Sequence, residues 1–421
     1  MKIVAYTSPA RGHLYPIVPI LLELRDRGHD VSVWTLASEV ERLRNLGVQA
    51  EAIDPAIEKL HHNDFGTRTP QEALKRSVAV FARRAELEIP ELERILALAS
   101  PDVLLVDANT WGAAAAAEHW GGPWANFLPY PTPLPSAEVP PFGPGLKPWD
   151  GPLGRLRNWI LRPLLLGALE RTLLPPLNEA RQKLELNAVR DAYDMMTRPP
   201  LTLYFTSQHF EYPRSHWPDS WCMVGPLNWE PDSVPPSWLK EIERPIVLVT
   251  TSSEFQDDSS LVQAALTGLA DEPVEVIATM PAGVHTFNVP PNGRVEEFVP
   301  HTPILAQTEV AITHGGMGAT QKALASGVPV VVIPFGRDQH EVGRRAEHAG
   351  VGVYLPRRRL NPTSLRDAVR RARELRPAVK RFANQLAAEG GAKLAADRLE
   401  QLGVSDEADE AVEPSVVSIP A

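Results

Sequence analysis

The chain has 421 residues, with Lys+Arg 42 against Asp+Glu 52, one cysteine and 42 prolines. At about 150 residues per domain this predicts two or three domains, and 43% hydrophobic with 22% charged residues suits a globular chain with a sizeable core. A net charge of -10 argues against a general nucleic-acid coat, and Cys222 alone can make neither an internal disulfide nor a cysteine-based zinc site.

Ile3–Tyr6 reads as a buried strand, too short for the core of a signal peptide. No apolar run reaches the roughly 18 residues of a membrane span; the greasiest stretch, Trp159 to Leu174, is broken by Arg162, Pro163, Glu170 and Arg171. A soluble, cytoplasmic protein is the expectation. Thr7–Tyr15 is predicted as a loop, with Pro16 in a first helical turn, where its missing N–H costs nothing. Ile17, Val18, Leu21, Leu22 and Leu24 then recur at helical spacing until Gly28. Val31–Leu36 is the next strand. Val103–Val106, Trp111–Trp120 and Trp124–Phe127 repeat the order strand, helix, strand, which implies a mostly parallel sheet covered by helices.

Nine of the 42 prolines fall between Pro129 and Pro152. Val224–Pro236, with four prolines and no periodicity, reads as a linker. A second alternating series follows, with strands at Ile246–Val249, Val274–Thr279, Val310–Thr313, Val328–Ile333 and Val351–Leu355. Arg344 to Arg381 holds twelve basic against three acidic residues. Such a run is ordinarily a solvated face; its sharper reading is weak contact with an anionic membrane surface. Beyond Gly403 the chain turns acidic without an apolar period, as disordered tails do. The expected division is 1–225, a linker at 226–243, 244–385, a helix at 386–402 packing back on the first half, and a disordered tail at 403–421.

Thr313-His-Gly-Gly-Met-Gly-Ala-Thr-Gln-Lys322 lies between a short strand and a helix-like run from Gln321 to Ser326. Gly315, Gly316 and Gly318 let backbone approach a ligand closely, and the first turn of the following helix offers unpaired N–H groups to an anion. His314 adds a donor. This chemistry suits a diphosphate, although the spacing is neither that of a dinucleotide fingerprint nor of a Walker loop. At the other end of the chain, His13 lies after the first buried strand, where open α/β sheets bind ligands. The ordinary histidine pKa near 6.5 suits proton abstraction near neutrality. Asp107 ends an equivalent strand. His340-Glu341 does not begin a zinc motif, because Arg344 stands where the second histidine would be.

From Phe298-Val-Pro-His301 through Thr313-His-Gly-Gly and Gly327-Val-Pro329 to Asp338-Gln339, the order and spacing resemble the donor-site signature of family 1 glycosyltransferases. Arg11-Gly-His-Leu-Tyr-Pro16 is similar to that family's Gly-His-x-x-Pro loop. The resemblance covers about residues 1–400. It implies a GT-B fold, α/β, with two Rossmann-like, doubly wound parallel-sheet domains facing across a cleft, the first for the acceptor and the second for a nucleotide sugar. It further implies an inverting transfer of a hexose from a UDP- or TDP-sugar to a small lipophilic hydroxylated acceptor of the natural-product type, in a bacterial setting.

By the same resemblance His13 is the base and Asp107 its partner. Phe298 stacks on the nucleotide base, His314 meets the diphosphate, and Asp338 with Gln339 meets sugar hydroxyls. Ser252, Ser253, His301, Gly315, Gly316, Gly318, Ala319 and Thr320 complete the expected donor site; Phe142 and Trp149 are the acceptor candidates. No Asp-x-Asp occurs, so no metal and no cofactor beyond the co-substrate is expected, nor any nucleic-acid partner; the expected assembly is a monomer or homodimer. Lys322 departs from the pattern. It stands where many members carry a glutamate for the ribose hydroxyls, and a cation cannot accept those hydrogen bonds. His61, His62 and Asp64 could line the acceptor pocket, but a solvent loop is the expectation. Two other classes compete: a nucleotide-sugar 2-epimerase of the same architecture, against which the Gly-His-x-x-Pro motif speaks, and a non-catalytic binder of a sugar nucleotide or lipid surface.

Overall fold

The computed structural model describes residues 1–410 apart from 68, 254, 255 and 284, with side chains as far as residue 404. Residues 411–421, the end of the expected tail, lie outside the described residues. The first half forms a seven-stranded sheet of β1 (Lys2–Tyr6), β2 (Asp30–Thr35), β3 (Gln49–Ala52), β4 (Val103–Asp107), β5 (Trp124–Leu128), β6 (Leu201–Tyr204) and β7 (Trp221–Met223), in the order β3-β2-β1-β4-β5-β6-β7. The second half forms a six-stranded sheet of β8 (Ile246–Thr250), β9 (Glu275–Thr279), β10 (Gly293–Glu296), β11 (Thr308–Thr313), β12 (Val330–Val332) and β13 (Gly352–Tyr354), in the order β10-β9-β8-β11-β12-β13. Every pairing is parallel.

The central strands carry the aliphatic runs that a sheet covered on both faces requires: Val103–Asp107 and Ile246–Thr250 are buried throughout. Edge strands escape that signature. Gln49-Ala-Glu-Ala52 buries only Ala50, and Gly293–Glu296 is half-buried along its length. In each sheet the strand order reverses once, between β1 and β4 and between β8 and β11. These are the crevices where open α/β sheets take ligands.

Three sequence expectations about elements change. Helix Arg11–Asp26 begins five residues before Pro16, so His13 lies on its first turn and not in a loop. Ala10 O accepts from both His13 N and Leu14 N, and Pro16 and Pro19 are carried inside the helix. Helix Met317–Ala325 likewise starts ahead of Gln321, placing Gly318 in its first turn. At the other end, helix Gly391–Glu410 runs on past residue 403; a Cβ at Gly403 would meet Val103 and Met1, so the chain still lies against the first sheet there.

That last helix returns to the first half. Ala395, Ala396 and Leu399 join the core cluster of Ile3, Leu21 and Val103, and Arg27 pairs with Asp397 (2.6 Å) and Glu400 (2.9 Å). Elsewhere the halves meet through buried charge: Arg345 Nε donates to Glu211 at 2.6 Å, and Glu341 accepts from Gly143 N (2.9 Å) and Gly145 N (3.1 Å). The basic stretch is therefore no single face. Arg345 is wholly inside, Arg344 turns to Gly145 O, and Arg370 and Arg373 pair with Glu272 and Glu309. Among the described residues no helix is long and apolar enough to cross a membrane.

Candidate active site

A cleft of about 1550 Å³ runs between the two sheets and touches both crevices. On its first wall Asp107 is wholly buried at the end of β4. Its Oδ2 accepts from Ser8 N (3.0 Å) and Ser8 Oγ (2.7 Å), and its Oδ1 from Asn109 N (2.9 Å). His13 Nδ1 lies 3.0 Å from Oδ1 and 2.9 Å from Oδ2. A carboxylate only accepts, so the ring proton sits on Nδ1 and the Nε2 lone pair faces away from Asp107. Burial alone would raise the Asp107 pKa, but His13 and the three donors outweigh it and hold the carboxyl below its usual range.

His13 Nε2 has a neighbour that the sequence reading did not single out. Asn109 Nδ2 lies 3.2 Å away and Tyr130 donates its hydroxyl to Asn109 Oδ1 at 2.8 Å; the unprotonated Nε2 takes only a donor, which sets the amide that way round. From the first half Phe81, Trp111, Leu165, Leu169, Leu173 and Met195 also line the cleft, an apolar arm of it. Phe142 lines it too. Trp149 does not: its ring lies under the Arg157 guanidinium at 4.5 Å, half-exposed on the outside.

The second wall is built from the loops after β8 and β11. Thr250, Thr251, Ser252 and Ser253 line the cleft, and Ser252 N donates to Asp258 at 2.8 Å. His314 is buried, and its Nδ1 faces Thr250 O at 3.4 Å; a carbonyl accepts, so the proton is on Nδ1. Burial pushes the His314 pKa below its ordinary value, so the imidazole is neutral near pH 7. The glycines divide the work. Gly315, at φ 99°, brings backbone so close to Gln339 that a Cβ would lie 2.8 Å from its Cβ. A Cβ at Gly318 would meet nothing within 4 Å among the described residues. Gly316 caps helix Met317–Ala325, whose first N–H groups have no partner within the helix.

Not every expected residue reaches the cleft. Thr320 is wholly buried against Thr313 Oγ1 (3.0 Å), and Gly315 lies behind the lining; both support the loop from within. Gln339 lines the cleft, yet its Oε1 accepts from Phe335 N (2.8 Å) and Gly336 N (3.1 Å) and its Nε2 donates to Gln256. Its Oε1 is thus occupied in holding the turn, while the Nε2 amino group carries a second N–H. Asp338 remains. Burial raises its pKa, against the pull of Arg337 and of His13 from the opposite wall. Phe298 stands half-exposed on the lining, open to stacking. His301 points its Nε2 at Thr279 Oγ1 (3.2 Å), and burial first, then Lys322, pushes its pKa down to about 4.

The structure also moves Asp64 out of solvent. It is buried and bridges to Arg337 across the cleft, while His62 lines the cleft and His61 stays exposed. Lys322 is paired with Glu230, which arrives from the linker and also accepts from His301 N (3.1 Å) and Thr302 N (2.9 Å). Asn109, only two residues after Asp107, was within reach of a sequence argument. Glu230 was not, because nothing in a proline-rich linker marks it.

Residues 263–402 match the family model of the erythromycin biosynthesis protein CIII-like C-terminal domain. A 4'-demethylrebeccamycin synthase of Lentzea aerocolonigenes is 32% identical over 388 residues, covering 88% of this chain and 91% of that protein. The chain belongs to the family 1, GT-B glycosyltransferases. The NDP-glycosyltransferase YjiC of Bacillus subtilis (strain 168) is 25% identical over 406 residues, 93% of this chain and 95% of its own. Among solved structures, the spinosyn rhamnosyltransferase SpnG complexed with thymidine diphosphate shares the fold at a TM-score of 0.70 with 17% identity, over 95% of this chain and 100% of that one. The two-sheet architecture read from the sequence is the one this glycosyltransferase adopts.

Proposed function

We propose that this glycosyltransferase moves a hexose, with inversion and without a metal, from a UDP- or TDP-sugar to a hydroxyl of a lipophilic natural-product aglycone. The observation that carries the reading is the facing of two sets of groups across one cleft. On one side stands His13 with Asp107; on the other stand His314 and the N-terminus of helix Met317–Ala325.

The chemistry follows from where the His13 ring carries its proton. Asp107 keeps the proton on His13 Nδ1, so Nε2 is the base. An acceptor hydroxyl takes the place of Asn109 Nδ2 at that lone pair and gives up its proton as its oxygen attacks the anomeric carbon. The bond to the nucleotide diphosphate breaks on the opposite side, and the charge leaving with it is met by backbone N–H groups and His314. Asp107, ionised and buried, stabilises the imidazolium as it forms.

A 4'-demethylrebeccamycin synthase and a thymidine-diphosphate-bound spinosyn rhamnosyltransferase among the similar proteins support the aglycone class and a TDP donor. The apolar arm of the cleft supports a flat, greasy acceptor. The test is to incubate the protein with UDP- and TDP-hexoses and a panel of polycyclic phenols and measure product mass. Gain of one hexose on an acceptor is expected. Nucleotide binding without transfer to any acceptor favours the non-catalytic reading instead.

A further inference from the structure

Glu230 belongs to the linker, yet it sits inside the second half of the cleft. One side of its carboxylate meets the first N–H groups of the helix His301–Leu305: Oε2 accepts from His301 N at 3.1 Å and Oε1 from Thr302 N at 2.9 Å. Lys322 Nζ donates to Oε2. Lys322 is on helix Met317–Ala325, one turn beyond Gly318 and Ala319 at the proposed diphosphate end. Phe298, the exposed ring, comes three residues before His301. The carboxylate is therefore bracketed by the platform for the base and the cradle for the diphosphate. A nucleotide has its ribose at that place.

A ribose presents hydroxyl donors, and the groups around it must accept. Lys322 cannot, having three N–H bonds and no lone pair. The His301 ring is turned to Thr279, and Glu297 lines the cleft from an exposed position. Glu230 can accept: an ionised carboxylate has about four lone-pair sites, and three are used by His301 N, Thr302 N and Lys322. It is also ionised. Burial works against that, but the bonds from Lys322 and Thr302 prevail and hold its pKa below the usual glutamate value.

We infer that Glu230, carried by the linker and oriented by Lys322, is the hydrogen-bond acceptor for a ribose hydroxyl of the donor nucleotide. The carboxylate and the cation have exchanged places. The helix residue that stands where the family has its glutamate is Lys322, and the acceptor comes from outside the donor-binding half. This inference rests on the donor reading proposed above.

Isothermal titration of the full chain with UDP, TDP and 2',3'-dideoxyuridine diphosphate tests it. The wild type should bind UDP about tenfold or more tightly than the dideoxy compound, the range of hydrogen bonds to a charged group, with TDP, which keeps only the 3'-hydroxyl, matching UDP if that hydroxyl is the one bound and the dideoxy compound if it is the 2'-hydroxyl. In Glu230→Ala and in the isosteric Glu230→Gln that preference should shrink toward unity in the alanine variant and fall in the glutamine variant, while the dideoxy compound binds as it does to wild type. A preference unchanged in Glu230→Ala, or absent from the wild type, overturns the inference. Equal losses for all three nucleotides in both variants also overturn it, because they assign Glu230 to fastening the linker. If the wild type binds none of the three, it is the donor reading that fails.

Discussion

Asp64 and Arg337 meet across the cleft in a two-point ion pair, with Arg337 Nε 3.0 Å from Oδ2 and Nη2 2.9 Å from Oδ1. One belongs to a loop of the first half and the other to the turn before Asp338. The Arg337 guanidinium also lies over the Phe65 ring at 4.9 Å. Arg337 holds a left-handed backbone, φ 52°, which a non-glycine residue keeps only when its surroundings fix it. The pair thus fastens the halves beside the proposed sugar site.

Asp64→Asn should reduce stability at neutral pH by about 1–3 kcal/mol, as the loss of a charged hydrogen-bonded partner does. Burial would raise the Asp64 pKa, but Arg337 lowers it on balance. A carboxyl with a depressed folded pKa stabilises fully above its unfolded value and loses that contribution as pH falls through the folded one. Melting of both proteins at neutral pH and near pH 3 checks this: the gap should be present at the first and smaller at the second. A gap independent of pH contradicts the pairing.

His301 has the converse history. Its folded pKa of about 4 lies below the ordinary 6.5, so between those values the unfolded chain holds a proton that the folded one lacks. Stability should therefore fall as pH drops from 6.5 toward 4, by on the order of 3 kcal/mol at 1.36 kcal/mol per unit. His301→Gln, which cannot take up that proton, should flatten this part of the profile in chemical denaturation. An unaltered slope in the variant would place the titration elsewhere.

The glycine loop separates fold from binding. Gly315→Ala forces a side chain into the left-handed region and onto Gln339, and should cost about 1–3 kcal/mol of stability. Gly318→Val adds its methyl groups to open cleft. It should leave the melting temperature nearly unchanged and weaken UDP binding about tenfold or more, a large fraction of what a nest of N–H donors supplies. Equal effects of the two substitutions on both measurements would contradict this division.

His314 offers a proton count. The neutral ring carries its proton toward Thr250, leaving Nε2 as a lone pair. A diphosphate there should draw a proton onto Nε2, so nucleotide binding above pH 6.5 should take up to one proton from buffer. Titration in two buffers of different ionisation enthalpy measures it. The uptake should vanish in His314→Gln; uptake that persists would belong to another group.

Much of this arrangement could be read from residues alone. Val103–Asp107 and Ile246–Thr250 announce central strands by unbroken aliphatic runs, and the family pattern around His314 and His13 names both walls. What stayed hidden depends on through-space contact. The start of the helix at Arg11 was masked by Pro16, which is tolerated inside. Asp64 looks like one more polar loop residue until Arg337 is brought to it. Trp149 looks like an acceptor anchor until Arg157 covers it on the outside. Lys322 was visible as an exception, but its partner Glu230 lies 92 positions away in a linker without periodicity.

The central claim is that His13, held by Asp107, is the base of a transfer whose nucleotide is bound by the other wall. The direct measurement is turnover and UDP affinity of His13→Ala beside the wild type. Transfer to oxygen should fall by about 100-fold or more, the scale of general-base catalysis, while UDP affinity stays within about twofold. Turnover equal to wild type, or turnover and UDP affinity lost together, would contradict the assignment of His13.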